Sequence, residues 1–449
     1  MGLVRRTGCF VKRNRATAVT AVAALVLFFV SAPPASASLV QDRLPNGVRV
    51  VVESGSWNRI VSVSVLADAG SKYDPPELPG LARVTNELLG YSTAAMSYAD
   101  VCRVSGCAWI DFGTSTTEDL AEVHVSAVDE HLEQALDLVA AAVTEPSFTA
   151  EDLATVQVSI QKQLEHALDD PFERSFVKLN ELLFEGHPYG SPVNGTLEGI
   201  ERITPSDVRR FHDERYTGRG VVVSVVGDVD PDEIIEMVAE RFGGLPYGRP
   251  PGEPTYPVER TGTSEFELFK DVENGRVLLG FLAPAADDPD HAAVRVLTEV
   301  LGGGTGSRLH TRLASDGEHA ADAVGAFYPL RLEQGRIVAY ATPVRAERTL
   351  DLMTEVVEAL RNEPVSSSEL KRASNRIVGH YVMRGQRNLE RARRHAWDEL
   401  SGLGGGAHDR LIRSIEEVDA DDVLDAAQRY LVDPVIVVLK PGRPGRGGI

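Results

Sequence analysis

The chain has 449 residues, of which 43% are hydrophobic and 25% charged, and its formal net charge is −20. This composition is typical of a folded globular protein and excludes the disordered and fibrous classes, and the length favours two domains over one. The strong acidity excludes nucleic acid as an expected partner and argues against anionic membranes, because both require basic patches.

The first 37 residues differ from the rest of the chain. Five basic residues and no acid precede an apolar run at Ala16–Val30, and 35–37 reads Ala-Ser-Ala, the small-x-small pattern of a cleavage site. This order predicts a secretory signal peptide at 1–37, and removal of its five basic residues takes the charge from −20 to −25. We expect export to the periplasm or the extracellular space, with membrane association as an option. A retained anchor is the alternative, although about 20 apolar residues are needed to cross a bilayer.

After this leader, the N-terminal half alternates strand and helix signals. Val48–Val52 and Ile60–Leu66 are rich in β-branched residues and predict strands, with a hairpin-type turn at Asn46-Gly47, and 112–125 predicts a further strand pair. Apolar periodicity and capping residues predict helices at 128–143, 150–167, 172–183 and 205–216, the last with Thr204 as its N-cap.

Between these helices, two cysteines remain after the leader. Cys102 and Cys107 have four residues between them, which does not match the C-x-x-C spacing of metal and redox sites. In an oxidising compartment the pair could close a small disulfide. Two half-buried free thiols are the equal alternative.

The second half of the chain repeats the first. Ile200–Val208 matches Ile415–Val423 without a gap, and each segment leads through a helix and an Arg-Tyr pair into an apolar strand, Val221–Val226 or Val435–Leu439. Further helices are predicted at 292–301, 346–362, 367–400 and 419–431. An offset of about 215 residues is too long for a solenoid, so we expect two domains, at 38–245 and 260–449.

The segment at 246–259 is rich in proline and glycine and predicts a semi-extended linker between these domains. Within each domain, strand pairs are followed by groups of helices. The predicted fold class is therefore α+β: two similar domains, each a mainly antiparallel sheet with helices packed on one face.

Several segments are characteristic when taken together. They are LPNGVRVVV (44–52), ADAGSKYD (67–74), GLARVTNELLGYST (80–93), EPSF (145–148), GHPYGSPVNGTLEGIERITPSDV (186–208), VVVSVVGDVD (221–230) and LGGGTGSRL (301–309). Their combination resembles the insulinase/pitrilysin-like metallopeptidases, which include the mitochondrial processing peptidase and two-domain bacterial homologues. The resemblance covers nearly the whole chain after the leader and implies the fold of that family.

The resemblance also implies a zinc site, since the family carries His-x-x-Glu-His on a helix and a distal Glu. Two imidazoles and one carboxylate bind the ion there, and the helix Glu activates the zinc-bound water. The motif positions in this chain hold Arg83, Asn86 and Glu87, and the distal position holds Gln163. A guanidinium has no lone pair to donate and an amide cannot act as a base. We therefore expect no zinc cofactor and no catalytic residue of the usual kind.

Arg83 precedes Glu87 by four residues, so the two can form an ion pair on one helix face. Our hypothesis is that the guanidinium lies roughly where zinc would lie, bonded to Glu87 and reaching Gln163, and neutralises an acidic pocket. A solvated surface pair is the alternative. A different metal at Glu87 with Glu165 or Asp169 is a third option.

LGGGTGSRL lacks the Lys-Ser/Thr ending of a phosphate loop. The resemblance instead makes Gly302, Gly303 and Gly304 part of a flexible substrate-binding loop at a chamber between paired domains. The alternative is a run of helix C-cap glycines.

The family's substrate-binding arginine and tyrosine lie beyond this loop, and the resemblance places them at Ala314 and Ala321, where both are lost. A register shift of two residues would bring Arg312 into the first position. It would put His319 in the second, so the tyrosine would still be missing.

Family members of this length enclose a chamber between two chains, so the resemblance implies pairing. We interpret the chain as an exported, non-catalytic pseudo-peptidase subunit that pairs with a catalytic insulinase-like subunit, or with its own copy, and binds peptide or unfolded protein. Two alternatives stay open. One is a structural scaffold protein of an envelope complex, and the other is an active metalloendopeptidase with a non-standard metal site.

Overall fold

The computed structural model describes residues 38–55, 58–107, 110–248, 250, 252, 258, 260–316 and 321–442. The predicted signal peptide and most of the predicted linker lie outside these residues. Within the described ranges, no helix combines the length and the apolar character needed to span a bilayer.

Eleven strands and fifteen α-helices are formed in the described part of the chain. The strands β1–β11 are Ser38–Arg43, Arg49–Ser54, Ile60–Ala67, Asp111–Thr116, Ala121–Val128, Val221–Gly227, Ser264–Lys270, Arg276–Ala283, Ala321–Phe327, Gly335–Pro343 and Val435–Pro441. The helices α1–α15 are Leu81–Leu88, Tyr98–Cys107, Leu132–Thr144, Ala150–Asp169, Pro171–Leu183, Leu197–Arg202, Pro205–Arg215, Pro231–Phe242, His291–Gly302, Arg308–Ser315, Ala346–Asn362, Ser367–Arg384, Asn388–Leu400, Ala407–Glu417 and Ala420–Tyr430.

The two sheets have the same topology. The first has the strand order β1-β2-β6-β3-β5-β4 and the second β7-β11-β8-β10-β9, so they match strand for strand apart from the additional edge strand β1. In both, the pair that joins an early strand to the last one (β2 with β6, β7 with β11) is parallel and the other pairs are antiparallel. The predicted α+β class and the duplication of the domain are confirmed.

Each sheet packs one face against helices of its own half of the chain. In β3 and β5 the alternate residues Val63, Val65, Val123 and Val125 point into a core that α1, α3 and α4 complete. Such alternation is what a strand with one apolar face requires. An equivalent core lies between the second sheet and α9, α11 and α15.

The second face of each sheet is covered by one helix from the other half, which the sequence analysis did not anticipate. Helix α5 lies on β8 and β11 of the second sheet, and α13 lies on β3 and β6 of the first. Each sheet is therefore covered on both faces: by helices of its own half on one face, as predicted, and by a single helix of the other half on the second face. Since α5 and α13 follow equivalent helices of the repeat, the exchange is reciprocal, and it holds the two halves together.

These two crossing contacts differ in chemistry. Leu179 and Leu183 of α5 are fully buried against Leu278, Val435 and Val437 of the second sheet. Helix α13 instead presents Arg391, Arg393 and His395 to glutamates of the sheet. The contact of α5 is therefore apolar, whereas the contact of α13 adds these ion pairs to a small apolar cluster around Ala396.

The prediction of one continuous helix at 367–400 is wrong. The chain forms α12 and α13, and Gly385 caps α12 before a short turn. The break lets the chain leave the helix layer of its own domain and cross to the first sheet, where Arg391 and Arg393 bind glutamates. Those partners are more than 250 positions away, so local periodicity does not reveal the break.

Candidate functional site

The helix that carries the motif positions, α1, begins immediately after Gly80. Gly80 has a φ of 101°, and a Cβ at this position would lie 2.5 Å from Ile200 Cδ1, so a side chain is excluded both by backbone strain and by space. Asp74 accepts hydrogen bonds of 2.7 Å from the backbone N–H groups of both Gly80 and Ala82. This carboxylate satisfies helix-terminal donors and fixes the direction of α1.

Arg83 is the centre of a hydrogen-bonded cluster that we call the Arg83 cluster: Arg83, Glu87, Gln163 and Asn194. Its Nε donates to Glu87 Oε1 at 3.0 Å, its Nη2 to Gln163 Oε1 at 2.6 Å and its Nη1 to Asn194 Oδ1 at 2.7 Å. The Arg83 side chain is 12% exposed. Both hydrogen bonds expected from the sequence are present, and the arginine is too buried for a solvated surface pair.

The Arg83 cluster does not fit zinc. Zinc sites in proteins use imidazole, thiolate and carboxylate ligands, whereas this cluster offers one carboxylate and two amides, all hydrogen-bonded to a permanent cation. Among the described residues, no group of three or more His, Cys, Asp and Glu is arranged to hold a metal ion. Asp169, one of the metal ligands considered above, instead pairs with Lys270 at 3.0 Å.

Asn86 has a different environment from the Arg83 cluster. It is 1% exposed, and its Nδ2 donates to the backbone oxygens of Ser115 and Glu122, at 2.8 and 3.1 Å, and to Thr116 Oγ1 at 3.2 Å. The Tyr216 hydroxyl donates to its Oδ1 at 3.3 Å. Three acceptors surround the amide nitrogen, so this position selects a hydrogen-bond donor and disfavours a carboxylate. Asn86 ties α1 to β4 and β5.

The glycines at 302–304 end helix α9. Gly302 is its last residue, and a Cβ there would lie 2.3 Å from the backbone nitrogen of Ala326. The Gly303 N–H donates to the Glu299 carbonyl at 2.8 Å, and Gly304 has a φ of 136°. These contacts are those of a helix C-terminus. The role of the loop at a substrate chamber stays a prediction.

The two positions of the lost substrate-binding pair lie in different elements. Ala314 is in α10, and Ala321 is the first residue of β9. Arg312, the alternative for the first position, binds Glu355 Oε2 at 2.7 Å. His319 lies outside the described residues.

The disulfide considered for Cys102 and Cys107 is not formed. Both residues are exposed free thiols in α2. Residues five apart on an α-helix, at about 100° per residue, point to different sides of it. The pair therefore cannot be bridged without unwinding the helix, which the spacing in the sequence did not indicate.

No sequence pattern indicates a row of acidic residues that the first domain buries at the domain interface. We call it the interdomain acid row: Glu53, Glu118, Asp119 and Glu122, none more than 9% exposed. Three of them bind basic residues of the second domain, whereas Asp119 pairs with Lys72 of its own domain and accepts a hydrogen bond from the Leu332 backbone N–H of the second. Glu122 accepts from Arg393 Nε at 2.8 Å, Glu118 lies 2.5 and 2.9 Å from Arg331 and Arg336, and Glu53 binds Arg391 and His395. Complementary charge of this kind fixes the relative register of the two halves.

Burial alone would raise the pKa of Glu118, but Arg331 and Arg336 outweigh burial and hold that pKa below its ordinary value. The same opposition applies to Glu53, whose pKa is lowered by His395 and Arg391 despite its burial. Both carboxylates are therefore charged in the folded protein. Glu53 lies in a strand, where a glutamate usually indicates a solvated face, and Glu118 lies in the turn between β4 and β5, so neither position indicated a buried ion pair.

The GHPYG segment is part of the same interface. The backbone N–H of Tyr189 donates to His187 Nδ1 at 3.0 Å, and the Tyr189 hydroxyl donates to Asp119. His187 Nε2 and Lys72 Nζ lie 3.4 and 2.8 Å from the Glu333 carboxylate, and they lower the pKa of Glu333 to about 2. The motif thus has a structural role at the domain interface.

Two similar α+β domains in one chain, with a helix in the register of an inverted zinc motif, define the class of insulinase-like peptidases. Two family models match the chain: "Insulinase (Peptidase family M16)" over residues 49–197 and "Peptidase M16 inactive domain" over residues 202–377. The chain belongs to this insulinase-like M16 family.

Curated relatives match along most of their length. An uncharacterized zinc protease of Mycobacterium leprae is 27% identical over 401 residues, which cover 88% of this chain and 90% of the relative. An uncharacterized zinc protease of Streptomyces coelicolor is 24% identical, with 86% of each chain covered.

Solved structures show the same fold. A protease from Helicobacter pylori superimposes with a TM-score of 0.84 at 20% identity, over 90% of this chain and all of the other. A peptidase M16 inactive domain from Pseudomonas fluorescens gives a TM-score of 0.83 at 23% identity, over 91% and 99% of the two chains.

Proposed function

We propose that this protein is a non-catalytic subunit of the insulinase-like family, which pairs with a catalytic homologue and helps to bind a peptide substrate. The observation that carries the proposal is the Arg83 cluster. A permanent cation, hydrogen-bonded on three sides, stands among the positions at which the family binds zinc. A guanidinium cannot be deprotonated in proteins, and its positive charge would repel a divalent cation bound among the same side chains.

The environment of Asn86 supports the same conclusion about the catalytic base. Its amide is buried among backbone carbonyls and a hydroxyl, where a carboxylate would be left without donors for most of its lone pairs. Both the metal ligands and the base of the family reaction are therefore replaced by groups with settled structural partners. This favours a binding role over a hydrolytic one.

Pairing is proposed from the family membership. A subunit without its own chemistry acts in peptide hydrolysis only if a partner supplies the metal and the base. The catalytic partner we propose is a family member with an intact His-x-x-Glu-His, and the ligand is an extended or unfolded peptide. The leader at 1–37 supports a site of action outside the cytoplasm, in the periplasm or the extracellular space.

The test uses the chain from Ser38 onward, loaded with zinc and then dialysed, with zinc measured by plasma mass spectrometry and cleavage measured with a quenched fluorescent peptide library. We expect substoichiometric zinc and no cleavage by the chain alone. Addition of a homologue from the same organism with an intact motif should give a complex in sedimentation velocity and faster cleavage than the homologue alone.

A matched control is the triple variant Arg83→His, Glu87→His and Gln163→Glu, which restores two imidazole ligands and one carboxylate and leaves Asn86 in place. It should bind zinc near stoichiometrically without cleaving peptide. Stoichiometric zinc with peptide cleavage by the unmodified chain would contradict the proposal in favour of the active metalloendopeptidase. A chain that ignores the homologue but co-purifies with an envelope complex would instead identify the scaffold protein.

A further inference from the structure

A cavity of about 720 Å³ lies at the domain interface, between the first sheet, the loop before α9 and helices α12, α13 and α14. It is on the face of the sheet opposite α1: Val123 and Val125 of β5 point toward the core beneath α1, while Glu122 points toward α13. The cavity is therefore separate from the Arg83 cluster, and the proposed function does not use it.

The cavity wall combines large apolar side chains with charged groups, and the apolar ones supply the surface on which a ligand could pack. These apolar side chains are Leu66, Leu120, Leu330, Trp397, Leu403 and Leu411. Cavities of about 300–1,000 Å³ at domain interfaces, with an apolar lining and few polar groups, are typical of small-molecule sites. The volume suits a molecule of roughly ten to twenty heavy atoms, given the share of about 30 Å³ that one water occupies in the liquid.

The charged groups of the wall are mostly already paired. Arg393 binds Glu122, Arg384 binds Glu390 and Arg331 binds Glu118. The guanidinium of Arg410 donates to the backbone carbonyls of Leu403 and Gly405. Because these guanidinium groups already have partners within the protein, they are poorly placed to bind a charged group of a ligand.

Arg394 is the exception among the arginines of the wall in the described part of the chain. Its Nε is buried without an acceptor, and Glu53, Asp398 and Asp409 act on it only through space. Burial outweighs their attraction and lowers the pKa of the Arg394 side chain. A desolvated guanidinium without a bonded anion is unfavourable, and a carboxylate is the group that matches its planar donors.

We propose that the interdomain cavity binds a small molecule that has one carboxylate and an apolar body, with the carboxylate on Arg394 and the body against Leu120, Trp397 and Leu411. A medium-chain fatty acid and a short apolar peptide with a free C-terminus share this chemistry. The aspartates at the mouth and wall of the cavity, 287, 288 and 398, disfavour a second negative charge on the ligand. A dicarboxylate should therefore bind more weakly than a monocarboxylate of equal length.

The experiment is isothermal titration calorimetry of the chain from Ser38 onward with decanoate, with dileucine, and with their uncharged counterparts 1-decanol and dileucine amide. We expect saturable binding of one carboxylate probe per chain, and at least tenfold weaker binding of its uncharged counterpart. Preference for decanoate identifies a fatty acid as the ligand type, and preference for dileucine identifies a peptide C-terminus.

The variants separate the carboxylate contact from general stability. Arg394→Met should weaken binding tenfold or more. Arg394→Lys should weaken it less than Arg394→Met, because the charge remains while the planar pair of donors is lost, and the exposed Arg372→Met should leave it unchanged. Circular dichroism melting confirms that each variant is folded. Equal binding to Arg394→Met and the parent, equal binding of 1-decanol and decanoate, or no saturable binding of either carboxylate would overturn the proposal.

Discussion

Arg83 Nη2 donates a hydrogen bond of 2.6 Å to Gln163 Oε1, which joins α1 to α4 across 80 positions of sequence. The family resemblance assigns these two positions to ligands of one metal ion. Here a side-chain cation makes the connection that the ion would make. The cross-link between the two helices is thereby kept by different chemistry.

If the Arg83 cluster holds α1 against α4, Arg83→Met should lower the free energy of unfolding by about 2 kcal/mol, since charge-assisted hydrogen bonds are lost. A double-mutant cycle with Gln163→Leu, measured by urea denaturation, should give a coupling of about 1 kcal/mol. Arg202→Met is the matched control, because its contact with Glu198 is exposed, and it should change stability by less than about 0.5 kcal/mol. A coupling of zero would show that the two side chains act independently.

Asn86→Asp should be destabilising by about 2 kcal/mol or more, because a carboxylate replaces a buried donor that faces three acceptors. Asn194→Asp makes the same chemical change next to the Arg83 guanidinium, and it should be neutral or slightly stabilising. Thermal and urea denaturation of the two variants at pH 7 checks this opposite response. Similar losses in both variants would refute the donor requirement at position 86.

Leu179→Ala tests the apolar crossing contact. The side chain is fully buried between α5 and the second sheet, so its truncation should cost about 2–5 kcal/mol. Val177→Ala on the same helix is the control, because Val177 is 36% exposed; it should cost less than about 1 kcal/mol. A loss of similar size for both would mean that α5 does not anchor the two halves.

The buried carboxyl of Asp398 should make the free energy of unfolding depend on pH. Burial raises the pKa of Asp398 from 3.8 to about 6, so the folded state holds this proton more tightly than the unfolded state. The stability from this group is present below pH 4 and is lost as the pH rises through 6, by up to about 3 kcal/mol. Asp398→Asn lacks this loss, so its stability relative to the parent should rise between pH 4 and pH 7. A stability difference between the variant and the parent that stays constant over this range would contradict the raised pKa of Asp398.

Cys102 and Cys107 should both react with a thiol reagent in the folded chain from Ser38 onward, because both are exposed and unpaired. Mass spectrometry after alkylation without denaturant or reductant should show two added groups. The double variant Cys102→Ser and Cys107→Ser should melt within about 2 °C of the parent, as expected for surface substitutions. If both cysteines were unreactive and became reactive only after reduction, a disulfide between them would be shown instead.

The fold was predictable where local patterns and the duplication agree. The alternating valines of β3 and β5 indicate strands with one core face, and Thr204, predicted as an N-cap, accepts from the Asp207 N–H in a capping box. Helix α11 has the predicted bounds, Ala346–Asn362. These features depend on neighbours within a few residues, so sequence periodicity contains them.

The candidate site was partly predictable for a different reason. The spacing of Arg83 and Glu87 on one helix follows from the sequence. The alignment with the family motif predicted that Gln163 lies next to Arg83, and the two are hydrogen-bonded. Asn194 was missed, because a loop residue 111 positions away carries no periodic signal. The packing of Asn86 was missed as well, since its acceptors are mostly backbone oxygens, which no side-chain pattern reveals.

The sequence by itself determined the two similar α+β domains, the residues at the four positions that the resemblance assigns to the zinc site, and the leader-like composition of the N-terminus, because these are properties of residue identity, spacing and repetition. Only the tertiary structure decided that α5 and α13 each pack on the sheet of the other half, that the interdomain acid row is buried and paired, and that Arg394 lines the interdomain cavity. Those features depend on side chains hundreds of positions apart, whose contacts arise only when the two halves pack and exclude water between them.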